Sequence, residues 1–114
     1  MIQPRRGEVW WVEVPDAGRR PALVLTRSAA IPHLNRVLVA PATRTVRRIP
    51  TEVQLDGRDG MPASCALTFD NLTVVRKTAL GSRVTRLSRE RMAEVCTALQ
   101  VAVGCPAGRL SAAR

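Results

Sequence analysis

The chain has 114 residues and carries 18 basic against 9 acidic side chains, a net charge of +9, with 46% of its residues hydrophobic. That length allows one domain, that apolar content excludes a disordered basic tail, and no apolar run approaches the about 18 residues of a membrane span. What remains is a folded domain with a strongly positive surface, and the partner such a surface suits is a polyanion.

Glu8 to Val14 is rich in β-branched and aromatic residues and predicts a first strand. Pro15-Asp16-Ala17-Gly18 is turn chemistry. Pro21 to Thr26 predicts a second, largely buried strand that returns on the first as a hairpin. Ser28 to Asn35 reads as irregular chain or a short helical turn. Arg36 to Thr43 predicts a third strand, in which Pro41 suggests an edge or a bulge. The basic stretch Arg44 to Pro50 predicts a mobile linker, and the alternation of Thr51 to Leu55 a half-exposed strand. Asp56 to Gly60 reads as a loop and Ser64 to Phe69 as a fifth strand ending at Asp70-Asn71. Leu72 to Val75 either extends that strand or starts another, and Gly81 to Thr85 is the last.

One helix follows. Ser88 is a suitable N-cap, Glu90 complements the helix dipole, and Met92, Val95, Cys96, Leu99 and Val103 recur at helical spacing. Gly104 and Pro106 end it. Short strands closed by one helix predict a small curled β-barrel with the helix packed against it. The pattern predicts one domain over residues 1–105 and a disordered tail over 106–114.

The chemistry available to this chain is narrow. Cys65, Cys96 and Cys105 are widely spaced and His33 is the only histidine, so the usual zinc sites cannot be assembled. Cys65 and Cys96 read as small buried hydrophobes and Cys105 as exposed. Three unpaired cysteines, and no apolar stretch behind the basic residues of Met1 to Gly7, predict a cytoplasmic protein. There is no Gly-rich phosphate loop, which leaves Arg, Asp, Glu, Thr and Ser for any catalysis. Arginines gather in three places: Arg19-Arg20, the Arg44/Arg47/Arg48 stretch, and Arg83, Arg86, Arg89 and Arg91 around the helix start. The last group reads as a solvated helix face, whereas the first two can converge on one groove. Trp10 and Trp11 point to opposite faces of one strand, so one faces the core. The other either stacks a base or packs on a partner subunit or the helix.

Three segments taken together resemble the MazF/PemK toxins, endoribonucleases of bacterial toxin–antitoxin pairs. Arg6-Gly7-Glu8-Val9-Trp10 is similar to the opening of that family's first strand. Arg20-Pro21-Ala22-Leu23-Val24-Leu25 is similar to its second, and Val39-Ala40-Pro41-Ala42-Thr43 to its third. Ile49 to Val53, Asp70-Asn71-Leu72 and Arg83 to Ser88 match less closely but in the same order, so the resemblance spans roughly residues 5 to 104. It implies an SH3-like barrel with a C-terminal helix and a homodimer. It also implies metal-free cleavage of single-stranded RNA (mRNA, tRNA or rRNA), with no cofactor, and inhibition by an acidic segment of a cognate antitoxin.

In this reaction the 2′-hydroxyl attacks the adjacent phosphorus and leaves a cyclic phosphate and a 5′-hydroxyl. The resemblance maps the catalytic Arg to Arg20 and the catalytic Thr to Thr43, and in some members an Asp at the position of Asp70 is the base. A guanidinium hardly ever deprotonates, so Arg20 suits charge stabilisation and Asp70 the base, with Glu52 in reserve. Arg19, Arg44, Arg47, Arg48, Glu52 and Thr68 are the candidates for contact with RNA. Thr68 stands where some members carry a basic residue. The loop Pro15 to Arg19 is shorter than in many members. Each site residue also has an ordinary reading: Arg20 as an exposed hairpin residue, Thr43 as a strand end, Asp70 as a turn former beside Asn71. A gyrase-poison-like relative acting by protein binding, or an inactive nucleic-acid-binding barrel, are the alternatives.

Overall fold

The computed structural model describes residues 3–105; the tail expected over 106–114 lies outside the described residues. Seven strands follow one another: β1 Glu8–Val14, β2 Gly18–Val24, β3 Arg36–Thr43, β4 Glu52–Leu55, β5 Cys65–Thr68, β6 Thr73–Arg76 and β7 Leu80–Arg86. The helix α1 spans Arg89–Val103, and short 3-10 turns at Ile31–His33, Gly57–Asp59, Phe69–Asn71 and Lys77–Ala79 lie between strands. All pairings are antiparallel, in the order β4-β5-β3-β2-β1-β7, with β6 also on β3. The curled sheet with its closing helix is the predicted architecture, and the barrel is an open one, β4 and β7 ending the path as edges.

β3 is the hub. One side pairs with β2 from Val39 to Pro41, while the other is divided, Arg36 to Val39 against β6 and Ala42–Thr43 against β5. Pro41 is therefore not on an edge strand. It sits in the interval where the far side of β3 changes partner, a place where a missing N–H breaks no ladder bond. The same division settles Leu72 to Val75: the 3-10 turn at Phe69–Asn71 ends β5 and sends β6 to the other half of β3.

Side-chain alternation gives the sheet two buried faces. Val9, Leu23, Leu25, Ala40, Leu55, Leu67 and Phe69 pack under α1 with Val95 and Ala98. Trp10, Val12, Val14, Ala22, Val24, Val37 and Val39 form a second core with Ile31 and Val75. Trp10 is thus the core-facing tryptophan. Two of the helix positions predicted as apolar stripe are solvent-exposed, Cys96 and Val103, and only Val95 and Ala98 on the helix are fully buried. Cys105 is exposed as expected, and Cys65 is buried. Ser88 caps α1 by accepting from the Arg91 N–H at 3.1 Å, and Gly104 closes it in the left-handed conformation at φ 73°.

Two carboxylates tie the ends of this fold together. Glu8 accepts from the Arg5 N–H at 2.9 Å, from Trp10 Nε1 at 3.0 Å and from Arg83 at 3.1 Å, which links the chain entry, the core and β7. Asp59 accepts from Arg91 Nε at 2.9 Å and from the Asp56 N–H at 3.0 Å, which binds the loop after β4 to the helix. Arg91 is therefore a cross-link and not only part of a solvated face; it also pairs with Glu94 at 2.9 Å. Burial pushes both carboxyls up, but hydrogen bonds and arginine charge outweigh it and hold each below its ordinary value.

Carboxyls lowered by folding contribute stability that is complete above their unfolded values of about 4 and is lost as pH falls through the folded ones. Thermal stability is therefore expected to be flat in these two groups near neutrality and to fall below about pH 4. Asp59→Asn should shrink that acid limb in pH-dependent melts, and an unchanged limb would remove Asp59 from the account. A second prediction concerns Gly60, which has φ 87° and whose added Cβ would lie 2.9 Å from Thr85 Cβ and closer still to its Oγ1. Thr85 Oγ1 donates to the Asp59 carbonyl at 2.9 Å and cannot simply swing away. Gly60→Ala should cost about 2 kcal/mol or more, from the left-handed φ together with overpacking, read as a lowered Tm.

Candidate nucleic-acid interface

β2 begins at Gly18, three residues before the predicted Pro21, because the turn is tight enough for pairing to start at Val14 opposite Gly18. Arg19 and Arg20 are consequently strand residues, opposite Glu13 and Val12, with their side chains on opposite faces. The β2–β3 register pairs Ala22 with Pro41, and two residues further along each strand are Arg20 and Thr43, on one face and facing each other. Arg20 is held by the turn and the end of β3 together: Nη2 donates to the Ala17 carbonyl at 2.9 Å and Nη1 to the Ala42 carbonyl at 3.5 Å. Thr43 Oγ1 accepts from the Thr45 N–H at 3.1 Å, fixing the start of the basic stretch.

Two cavities meet at this pair. One, of about 520 Å³, is lined by Trp11, Arg19 and Arg44 above an apolar floor that includes Met61, Pro62 and Cys65. The other, of about 570 Å³, holds Arg47, Thr68, Asp70 and Asn71 and is walled by the β1–β2 turn. Arg20 and Thr43 line both, and no other residue does. They form a ridge between the two cavities.

The second cavity has two further marks. Arg20 Nε and Thr68 Oγ1 are buried without a hydrogen-bond partner among the described residues, and both residues line it. Leaving such atoms unpaired costs about 1–3 kcal/mol each. Asp70 does not act merely as a turn former: its Oδ2 accepts from Thr51 Oγ1 at 2.6 Å, which fixes the carboxylate's orientation. Sequence reasoning passed over Thr51, since a lone Thr after Pro50 carries no pattern that distinguishes it. The Thr51 carbonyl also accepts from the Phe69 N–H at 3.0 Å, holding the 3-10 turn that presents Asp70.

The remaining candidates divide. Arg19 lies over the Trp11 ring at 5.1 Å and shares its cavity with Arg44, so the first two arginine groups do converge there. Arg48 does not join them. It takes φ 58° and lines a third cavity with Glu52, Arg91 and Glu94. Glu52 is not on an RNA-facing surface either: its side chain is 1% exposed and is engaged by Arg47, through Nη1 at 3.1 Å and the backbone N–H at 3.0 Å. Thr68 is buried in the cavity wall with its Oγ1 closed off, and makes no surface contact. His33 is exposed in its turn, away from both cavities. Burial, with the charges of Asp59 and Asp56, pushes the Cys65 thiol up, so it behaves as packing and not as a nucleophile. No helix among the described residues is long and apolar enough to cross a membrane.

Fold and site together define a small SH3-like open-sheet domain with a cationic ridge between two cavities at one end of its sheet. The family model of PemK-like, MazF-like toxins of type II toxin–antitoxin systems matches residues 5–103, and the chain belongs to that family. It is 50% identical over 103 residues to the "Probable endoribonuclease MazF5" of Mycobacterium tuberculosis, which covers 90% of this chain and 94% of the relative. It is 39% identical over 102 residues to the "Probable endoribonuclease MazF2" of the same species, covering 89% and 99%. Among solved structures, the Mycobacterium tuberculosis toxin MazF-mt6 superposes with a TM-score of 0.81 at 29% identity, covering 87% of this chain and 98% of that one. A mycobacterial endoribonuclease in complex with its cognate antitoxin gives a TM-score of 0.82 at 29% identity, covering 90% and 97%.

The Arg47–Glu52 contact makes a prediction about the basic stretch. Glu52→Ala should free the Arg47 amide, which then exchanges its hydrogen faster than in the parent protein, while the amides of β1 and β2 are unchanged. Equal protection of Arg47 in both proteins would show that the buried carboxylate does not hold the segment.

Proposed function

We propose that this protein is the toxin of a type II pair, a metal-independent endoribonuclease that cleaves single-stranded RNA in the bacterial cytoplasm and thereby arrests translation. The observation that carries the reading is the shared ridge: Arg20 and Thr43 alone line both cavities, so a phosphodiester lying across them has one nucleotide on either side. Arg20 spreads fixed positive charge over the phosphorane, in the forked geometry suited to phosphate oxygens. Thr43 donates to a non-bridging oxygen. Asp70, in the second cavity and oriented by Thr51, takes the proton from the 2′-hydroxyl.

The 2′-oxygen then bonds to phosphorus and the bond to the 5′-oxygen breaks. The departing oxygen takes a proton from water, giving a 2′,3′-cyclic phosphate and a 5′-hydroxyl. Arg19, Arg44 and Arg47 attract the flanking backbone. Relatives bearing the name endoribonuclease, and a structural neighbour captured with its antitoxin, support the reading. An acidic antitoxin segment would inhibit by lying on the same cationic face, and a homodimer would extend that face into a longer groove.

Incubation of the purified protein with mixed RNA in EDTA, followed by mapping of 5′ ends, tests the core of the proposal. Cleavage that persists in chelator and leaves 5′-hydroxyl ends is expected; intact RNA in every buffer would sink it. Arg20→Ala and Thr43→Ala should each lower kcat by about 100-fold or more, as expected for lost transition-state donors. Asp70→Asn should lower kcat by about 100-fold or more, as expected for a lost general base, and Thr51→Val should lower it in part while Thr51→Ser restores it. Full activity in Asp70→Asn would remove Asp70 from the mechanism.

A further inference from the structure

The cavity on the far side of the ridge from Asp70 is unlike its neighbour. Its walls combine one aromatic plane, Trp11, with the guanidinium of Arg19 lying over that ring at 5.1 Å. Arg44 stands at its rim, and Met61, Pro62 and Cys65 supply an apolar floor. Among the described residues no carboxylate pairs with Arg19, Arg20 or Arg44, in contrast to Arg47, Arg58, Arg83 and Arg91. At about 520 Å³ it lies in the range of small-ligand cavities, roughly 300–1,000 Å³. A flat, apolar-faced group with polar edges, attached to an anion on the ridge, matches all of these features. A nucleobase is such a group, and stacking on an aromatic ring is how unpaired bases are held.

The placement of Asp70 adds a direction. The base must meet the 2′-hydroxyl, which belongs to the nucleotide on the 5′ side of the cut, and Asp70 is in the second cavity. The nucleotide across the ridge is then the one whose 5′-oxygen departs. We propose that the Trp11 cavity binds the base immediately 3′ of the scissile phosphate, the base displacing the Arg19 guanidinium from the Trp11 ring so that Trp11 is the stacking plane and the forks of Arg19 and Arg44 read the base's edge. This inference rests on the nuclease reading and on Asp70 as the base. It assigns to Trp11 a role in substrate selection that Trp10, buried and donating to Glu8, cannot share.

The test compares the parent protein with Trp11→Ala and Trp11→Phe on an oligoribonucleotide with one mapped cut. Two further substrates replace the base 3′ or 5′ of that cut by an abasic ribonucleotide that keeps its 2′-hydroxyl. Trp11→Ala should lower kcat/KM on intact RNA by about 5- to 150-fold, the fold-change corresponding to loss of one stacked base. Trp11→Phe should recover most of it. The penalty should vanish when the 3′ neighbour is abasic and persist when the 5′ neighbour is.

Equal cleavage of intact RNA by Trp11→Ala overturns the proposal while leaving the nuclease intact, as does a penalty that vanishes only with the 5′ abasic substrate. A loss equal on all three substrates makes Trp11 structural and overturns it too. Normal cleavage with lost binding of the antitoxin segment would reassign the cavity to protein docking. Failure of the parent protein to cut any RNA strikes the underlying function first.

Discussion

The divided far side of β3 is the constraint from which the rest of this structure follows. A strand that pairs along its whole length with one neighbour on each side belongs to a flat or evenly twisted sheet. Here the ladder passes from β6 to β5 around Ala40 and Pro41, and the sheet must bend sharply to satisfy both. Pro41, without an N–H to offer, removes the one backbone donor that such a change of partner would leave unpaired. The bend carries Thr43 past the end of the β2–β3 ladder, facing Arg20. It also swings the 3-10 turn of Phe69–Asn71 beneath them. The ridge and its two cavities are consequences of how β3 shares its edges.

Charge is distributed with the same economy. Of the arginines in the described ion pairs, Arg83 and Arg91 fasten β7 and α1 to the rest, Arg47 holds the stretch after β3, and Arg58 stays in its own loop. Each is partly neutralised where it stands. Arg19, Arg20 and Arg44 are not, so their charge is undiluted by any carboxylate among the described residues. A pair such as Arg91–Asp59 contributes to stability through desolvated hydrogen bonds, whereas an unpaired cluster costs stability through mutual repulsion. Under the proposed reading a bound polyanion would remove that cost.

Strand positions were legible wherever alternation met β-branched residues. β1 and β3 match their predicted limits, and the helix was legible from its cap and apolar spacing. What could not be read locally was decided by partners. β2 gained Gly18 to Arg20 because β1 was there to pair with them. Cys96 and Val103 lost their predicted burial because the contact with the sheet is made through the helix face that carries Val95 and Ala98. The site divides in the same way. Arg20, Thr43 and Asp70 were accessible through ordered resemblance, and the structure brings all three to one ridge and cavity. Glu52 and Arg48 looked equally suitable in one dimension. Nothing in a sequence says that a glutamate will be buried under an arginine five residues before it, or that φ 58° will turn Arg48 away. Thr51 was invisible for the converse reason, since its role comes from a partner 19 residues distant.

The two tryptophans show how one strand sends adjacent residues to opposite faces. Alternation sends Trp10 into a core, where its indole N–H is satisfied by Glu8, and Trp11 to the other face, beyond the part of the sheet that α1 covers. With Phe69 fully buried and no tyrosine in the chain, Trp11 is the one aromatic plane available to a ligand among the described residues. Under the proposed reading, phosphate contacts from arginine are indifferent to sequence, so the ridge would supply affinity and place the chain without choosing where to cut. Selection would then come from what fits the cavities on either side. Such a domain would alter its preferred RNA through residues such as Met61 or Arg44 at a cavity wall, while Arg20, Thr43 and the bend in β3 stayed as they are.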